Sequence, residues 1–128
     1  MIVVDASALL AIILDEAEAD RFRNILESEA SLISPINHWE VLVRAHKEAK
    51  EGGANRALGI VAALGVHVAE IGAQDVQLAY AAFARWGKGA GGPLNMGDCF
   101  AYALAEREGV GLLFKGDDFP KTDVKSAI

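Results

Sequence analysis

Short runs of apolar residues recur along the chain, each separated from the next by longer stretches with helical periodicity. This alternation limits the fold more than any other feature of the sequence. Ile2-Val3-Val4, Leu32-Ile33-Ser34, residues 67–71 and Leu112-Leu113-Phe114 read as four strands. Helical patterns run over residues 8–14 behind a Ser7 cap, 17–28, 38–50 behind Asn37, 54–64, 73–86 and 97–108. Strands separated by helices join in parallel and carry helices on the sheet faces, so the expected fold is α/β with a parallel sheet. In such folds ligands bind beyond the carboxyl ends of the strands. Asp5 follows the first strand and Asp117-Asp118 follow the fourth, which puts these acids at the functional edge.

The 128 residues, 52% hydrophobic and 23% charged with only 3 Pro, describe one domain over 1–128 with a core of its own and exclude a low-complexity chain. One cysteine, Cys99, excludes an internal disulfide framework and a multi-cysteine zinc site, and fits a reducing compartment. No apolar run reaches the roughly 18 residues a membrane helix needs. The opening Met-Ile-Val-Val-Asp lacks a basic lead, so a cytoplasmic protein with no membrane partner is expected. Eighteen acidic against twelve basic residues give a formal charge of −6. That balance excludes a passive nucleic-acid coat, whose affinity comes from Lys and Arg neutralising phosphate. It does not exclude an enzyme that meets phosphate through a bound cation.

Four acidic loci stand out: Asp5, Glu40, Asp98 and Asp117-Asp118. Each alone has an ordinary role. Asp5 ends a strand, Glu40 can pair with Arg44 one turn on, Asp98 sits in the first turn of a helix, and the pair suits a solvated turn. Their joint setting points elsewhere. Glu40 lies within Trp39-Glu40-Val41-Leu42-Val43, and Asp98 is flanked by Leu94, Met96, Cys99 and Phe100. Carboxylates in apolar surroundings cost several kcal/mol each unless compensated, and a cluster repels itself. Only Arg44 and Lys115 are adjacent in sequence, so a divalent cation is the compensator expected, and oxygen ligands without His or Cys suit Mg²⁺ or Mn²⁺. Such a site serves hydrolysis of phosphodiesters by activated water.

Other motifs carry less. Gly87-Lys88-Gly89-Ala90-Gly91-Gly92 is no P-loop, because Lys88 precedes Gly rather than Ser or Thr. His38, His46 and His67 lack ligand spacing, Cys99 reads as a buried small hydrophobe, and Trp39 and Trp86 are expected in the core or at an interface rather than as base-stacking platforms. A phosphoacceptor receiver needs an acid pair after the first strand and an Asp after a central one, yet residues 52–65 hold no Asp. Haloacid-dehalogenase chemistry needs a second Asp, absent from Asp5-Ala6-Ser7.

Four blocks then carry a resemblance. They are Val4-Asp5-Ala6-Ser7-Ala8-Leu9, Glu40, the block from Leu94-Asn95-Met96-Gly97-Asp98-Cys99 through Phe100-Ala101-Tyr102-Ala103-Leu104-Ala105, and Leu113-Phe114-Lys115-Gly116-Asp117-Asp118-Phe119. Together they resemble the PIN-domain ribonucleases of VapC toxins, from residue 1 to about residue 125. The resemblance implies a three-layer α/β/α domain that cleaves RNA with Mg²⁺ or Mn²⁺, a cognate antitoxin as inhibitor, and a homodimer. It makes Asp5, Glu40 and Asp98 catalytic, with Asp5 and Asp98 as metal ligands and Ser7 and Asn95 in support. Asp118 is favoured over Asp117 as the fourth acid. The family usually carries a His-Pro-Ala stretch before Leu-Asn. This chain has Gly91-Gly92-Pro93 and is a residue shorter there, a departure that bears on substrate positioning. A module that has lost catalysis and only binds a partner is the alternative. Arg44, Lys47, Lys50, Lys88 and Lys115 are candidates for contact with the RNA backbone, although solvated surface charge is the favoured reading of each.

Overall fold

The computed structural model describes residues 1–49 and 51–128. Lys50, a candidate for backbone contact and the expected end of a helix, lies outside the described residues. Among the described residues four strands, β1 (Ile2–Val4), β2 (Ser31–Ile33), β3 (Val66–Val68) and β4 (Leu112–Leu113), form one sheet in the order β3-β2-β1-β4. Every pairing is parallel, with Val3 opposite Leu32 on one side and Leu112 on the other. Among the described residues six helices surround it: α1 (Ala6–Ile13), α2 (Ala19–Ser28), α3 (Pro35–Ala49), α4 (Gly53–Ala63), α5 (Ala73–Trp86) and α6 (Met96–Glu108).

Strand alternation divides the core. Ile2, Val4, Ile33 and Leu113 turn toward α1 to α4, where Leu9, Phe22, Val41 and Val61 are buried with them. Val3 and Leu112 turn the other way, toward Leu94, Tyr102, Leu104 and Phe119 under α5 and α6. The result is three layers, α/β/α. β1 is buried throughout, which is why its sequence shows no polar alternation.

Local chemistry shifts some boundaries. Asp5, not Ser7, caps α1, because its carboxylate accepts from the Ser7 backbone N–H at 3.0 Å. α3 starts at Pro35 rather than after Asn37. Proline's fixed φ suits the first helical position, and Asn37 therefore lies inside the first turn of the helix. β3 covers 66–68, short of the alternation read to Ile71, because the chain turns into Gly72, whose N–H donates to Asp75 Oδ2. The glycine-rich loop is closed by a parallel bridge between Gly87 and Leu94 and holds one 3₁₀ turn, Lys88–Ala90. A Cβ on Gly92 would collide with the Trp86 backbone, so the tight return depends on that glycine.

Two features differ from a simple amphipathic reading. Val76 and Tyr80 lie on one face of α5 as the spacing implies, but that face is solvent-exposed, together with Met96 on α6. With Phe83 and Phe100 they border an apolar cavity of about 260 Å³. Tyr102, by contrast, is buried and ties the C-terminal segment to α6. Its hydroxyl donates to Asp123 Oδ1 at 2.5 Å and accepts from Trp86 Nε1 at 3.3 Å. Among the described residues no helix is long and apolar enough to cross a membrane.

Candidate active site

The chain runs from β1 outward through β2 to β3, then returns to place β4 on the other side of β1. That reversal opens a crevice at the carboxyl ends of β1 and β4, where α/β folds bind ligands. Asp5 emerges from β1 at this point, 4% exposed, its backbone N–H bonded to Leu113 O at 2.9 Å. Ser7 links the two strand ends. Its hydroxyl donates to Asp5 Oδ2 at 2.6 Å and accepts from Lys115 N at 2.9 Å.

Glu40 reaches the crevice from α3. One turn earlier on that helix, Asn37 is fully buried. Its Nδ2 donates to Glu40 Oε1 at 2.7 Å and to Gly97 O at 2.9 Å. The amide orientation follows from chemistry, since the flipped form would set oxygen against a carboxylate and a carbonyl. Gly97 completes the arrangement. A Cβ at this position would overlap the Glu40 carboxyl group, so only glycine lets that group lie against the start of α6.

Asp98 is the third residue of α6. Asn95 Oδ1 accepts from Asp98 N at 2.8 Å, and Asp98 Oδ2 accepts from Asn95 N at 3.0 Å, a reciprocal capping box. Asp98 thus has the helix-end role that its position alone allows, and it also faces the crevice. A cavity of about 400 Å³ is lined by Asp5, Ser7, Glu40 and Asp98, with Leu10, Trp39, Val43, Arg44 and Lys47 around them. Asp117 and Asp118 follow β4 and are exposed. Asp118 is near enough for its charge to act on Asp98.

The electrostatics match the crowding. Burial raises the Asp5 carboxyl above its usual range against the hydrogen bonds from Ser7, and the Glu40 charge raises it further. Glu40 is raised by burial and by Asp98, with Asn37 pulling the other way. Asp98 is pushed up to about 6, first by burial and then by the charges of Asp5 and Asp118. Among the described residues none of these acids has a salt-bridge partner. Lys115, expected as a neighbour, pairs instead with Glu16 and Glu18 at 3.2 and 3.5 Å. Lys88 acts on Asp98 only through its field, and Arg44 shares its guanidinium with Glu48.

The donor set is therefore all oxygen, negatively charged, and short of compensating charge, which fits a hard divalent cation. Among the described residues no three His, Cys, Asp or Glu side chains converge closely enough to hold one ion. Asp5 and Asp98 are each turned toward a local partner, with the hydrogen bonds falling on one oxygen of each. Cys99 is buried, and its thiol is pushed up to about 11 by burial and the Asp98 charge, which leaves it unreactive. His38 is half-buried and His46 and His67 are exposed.

Sequence reasoning did not single out Asn37 or Gly97. The signal was a polar residue three before Glu40, on the same helix face. Of the two tryptophans expected in the core or at an interface, Trp39 is not in the core, being 62% exposed at the rim of the cavity, while Trp86 is half-buried against the second core.

Known proteins resemble this chain over nearly its whole length. The PIN domain family model matches residues 2–125. Ribonuclease VapC30 of Mycobacterium tuberculosis is 39% identical over 127 residues, covering 95% of each chain. The crystal structure of Mycobacterium tuberculosis VapC20, a toxin that cleaves the sarcin-ricin loop, superposes with a TM-score of 0.80 at 16% identity, covering 97% of this chain and 96% of that one. VapBC2 from Rickettsia felis, bound to a DNA fragment from its promoter, gives 0.75 at 16% identity, with 98% and 96% covered. A parallel sheet with an acid-lined crevice at its switch point and a near full-length match to such relatives lead to one conclusion: the chain belongs to the PIN-domain family, among the VapC ribonucleases.

Proposed function

We propose that this chain is the toxin of a type II toxin–antitoxin pair, an endoribonuclease that hydrolyses RNA phosphodiester bonds with Mg²⁺ or Mn²⁺. The observation that carries the reading is the meeting of Asp5, Glu40 and Asp98 on one cavity, each carboxyl raised and none paired with a cation among the described residues. Asp5 and Asp98 are the residues that would hold the ion. When bound, such an ion supplies charge neutralisation, polarises a phosphate oxygen and brings the pKa of water toward neutrality.

The chain's own residues do the rest. Ser7 fixes the Asp5 carboxylate through two hydrogen bonds, and Asn95 fixes Asp98. Glu40, half-buried and pinned by Asn37, accepts the proton of the attacking water, a role suited to a carboxylate whose affinity for protons is raised. Asp118 adds negative charge at the rim and is preferred to Asp117 because it acts on Asp98. Arg44 and Lys47 on the cavity wall meet the flanking phosphates.

A cognate antitoxin is the proposed inhibitor, a reading supported by the solved VapBC2 assembly. A homodimer is part of the same proposal. The exposed apolar face of Val76, Tyr80 and Met96 is what a second copy would cover. The test is purified protein on bulk cellular RNA with Mg²⁺, with EDTA, and as Asp98→Asn. Cleavage in the first condition alone supports the proposal, and cleavage surviving both changes overturns it. Absence of any cleavage by the wild type would favour the partner-binding alternative.

A further inference from the structure

Trp39 stands at the rim of the acidic cavity with 62% of its surface in water, and it joins neither core cluster. Leaving much of a large apolar side chain in water forgoes the free energy its burial would supply. The helical repeat stacks position 39 over 43 and 47, and position 40 over 44, so two neighbouring stripes of α3 bring Trp39 and Lys47, and Glu40 and Arg44, to the same cavity. A flat π surface, two cations and a catalytic carboxylate thus border one opening.

We infer that Trp39 is a specificity-determining residue, a platform on which one unpaired nucleobase of the RNA stacks beside the scissile phosphate while Arg44 and Lys47 hold adjoining phosphates. The inference rests on the ribonuclease reading and extends it to the form of the substrate. A nucleotide presents an aromatic face next to an anion, which matches an indole next to a guanidinium and an ammonium. A base within a duplex is stacked on its neighbours and cannot lie on the indole, so the site selects single-stranded or extruded nucleotides. An acidic protein segment would meet the cations equally well, but it does not call for an indole at the mouth of an acidic cavity.

The test uses the two tryptophans. In Trp86→Phe the only indole left is Trp39, so intrinsic fluorescence reports on it alone. The probe is a fluorescein-labelled mixed-sequence oligoribonucleotide in EDTA, single-stranded or annealed to its complement. The single strand should quench Trp39 fluorescence saturably and the duplex should not. By anisotropy on the otherwise unaltered chain, Trp39→Ala should weaken single-strand binding about 5- to 100-fold, as expected for loss of one stacked base, with Trp39→Phe recovering part of it. Wild-type affinity in Trp39→Ala overturns the inference, whether or not Trp86→Phe folds. If that same variant loses only the co-expressed antitoxin, the indole belongs to the protein interface and the inference fails. Failure of the wild type to cleave RNA with Mg²⁺ would overturn the ribonuclease reading instead.

Discussion

Replacing Asp98 by Asn should stabilise the metal-free protein at neutral pH. Asp98 is pushed from 3.8 up to about 6, mainly by burial, then by Asp5 and Asp118. That difference corresponds to about 3 kcal/mol against the ionised form. Asp98 is only part-buried, so solvent screening reduces the figure to about 1.5 kcal/mol. The substituted amide would keep an oxygen to accept from Asn95 N but lose a charge favoured at a helix start, about 0.5 kcal/mol. The net gain is about 1 kcal/mol, or about 4 °C in Tm for a chain of this size. The sign depends on pH. A carboxyl whose folded pKa is raised binds its proton more tightly in the folded state. Wild-type stability therefore falls as pH rises from about 3.8 to about 6, and the cost is complete above that. Calorimetry in EDTA should show Asp98→Asn above the wild type at pH 8 and the gap closing toward zero at pH 4.5. A variant equal to or below the wild type at pH 8 would refute the claim that these acids oppose one another.

Other outcomes follow from the same geometry. Saturating Mg²⁺ or Mn²⁺, at about a hundred times its dissociation constant, should stabilise the wild type by about 2.7 kcal/mol and Asp98→Asn far less, read by thermal shift. Asn37→Ala leaves the Gly97 carbonyl without its donor and releases Glu40. It should cost about 1–3 kcal/mol of stability in urea titration and slow RNA cleavage at least tenfold. Asp118→Asn should depress cleavage more than Asp117→Asn, compared in one assay, since the Asp118 charge is among the main ones that raise Asp98.

The fold was legible because a parallel sheet buried on both faces demands continuous apolar strands, and Ile2-Val3-Val4 and Leu112-Leu113 fit no other use. The acids were legible for a related reason, as Asp5, Glu40 and Asp98 each interrupt apolar sequence. Their neighbours were harder to read. Asn37 looks like a helix-start residue until Pro35 is seen to occupy the first position, which moves Asn37 inside α3 and onto Glu40. Gly97 looks like a helix-end glycine, and its purpose depends on a carboxyl group 57 residues earlier that sequence cannot locate. Trp39 lies outside the core although an aromatic within an apolar run usually packs inward, because the helical phase of α3 turns it to the cavity mouth. Val76 and Tyr80 show the converse, an apolar stripe at helical spacing that faces solvent.

The central claim is that acids from β1, α3 and α6 form one cation site. Calorimetric titration of Mn²⁺ into the wild type, Asp5→Asn and Asp98→Asn tests it without any substrate. Saturable binding by the wild type, weakened at least tenfold in both variants, is the predicted result. Undiminished binding in either variant would show that the two carboxylates do not share an ion.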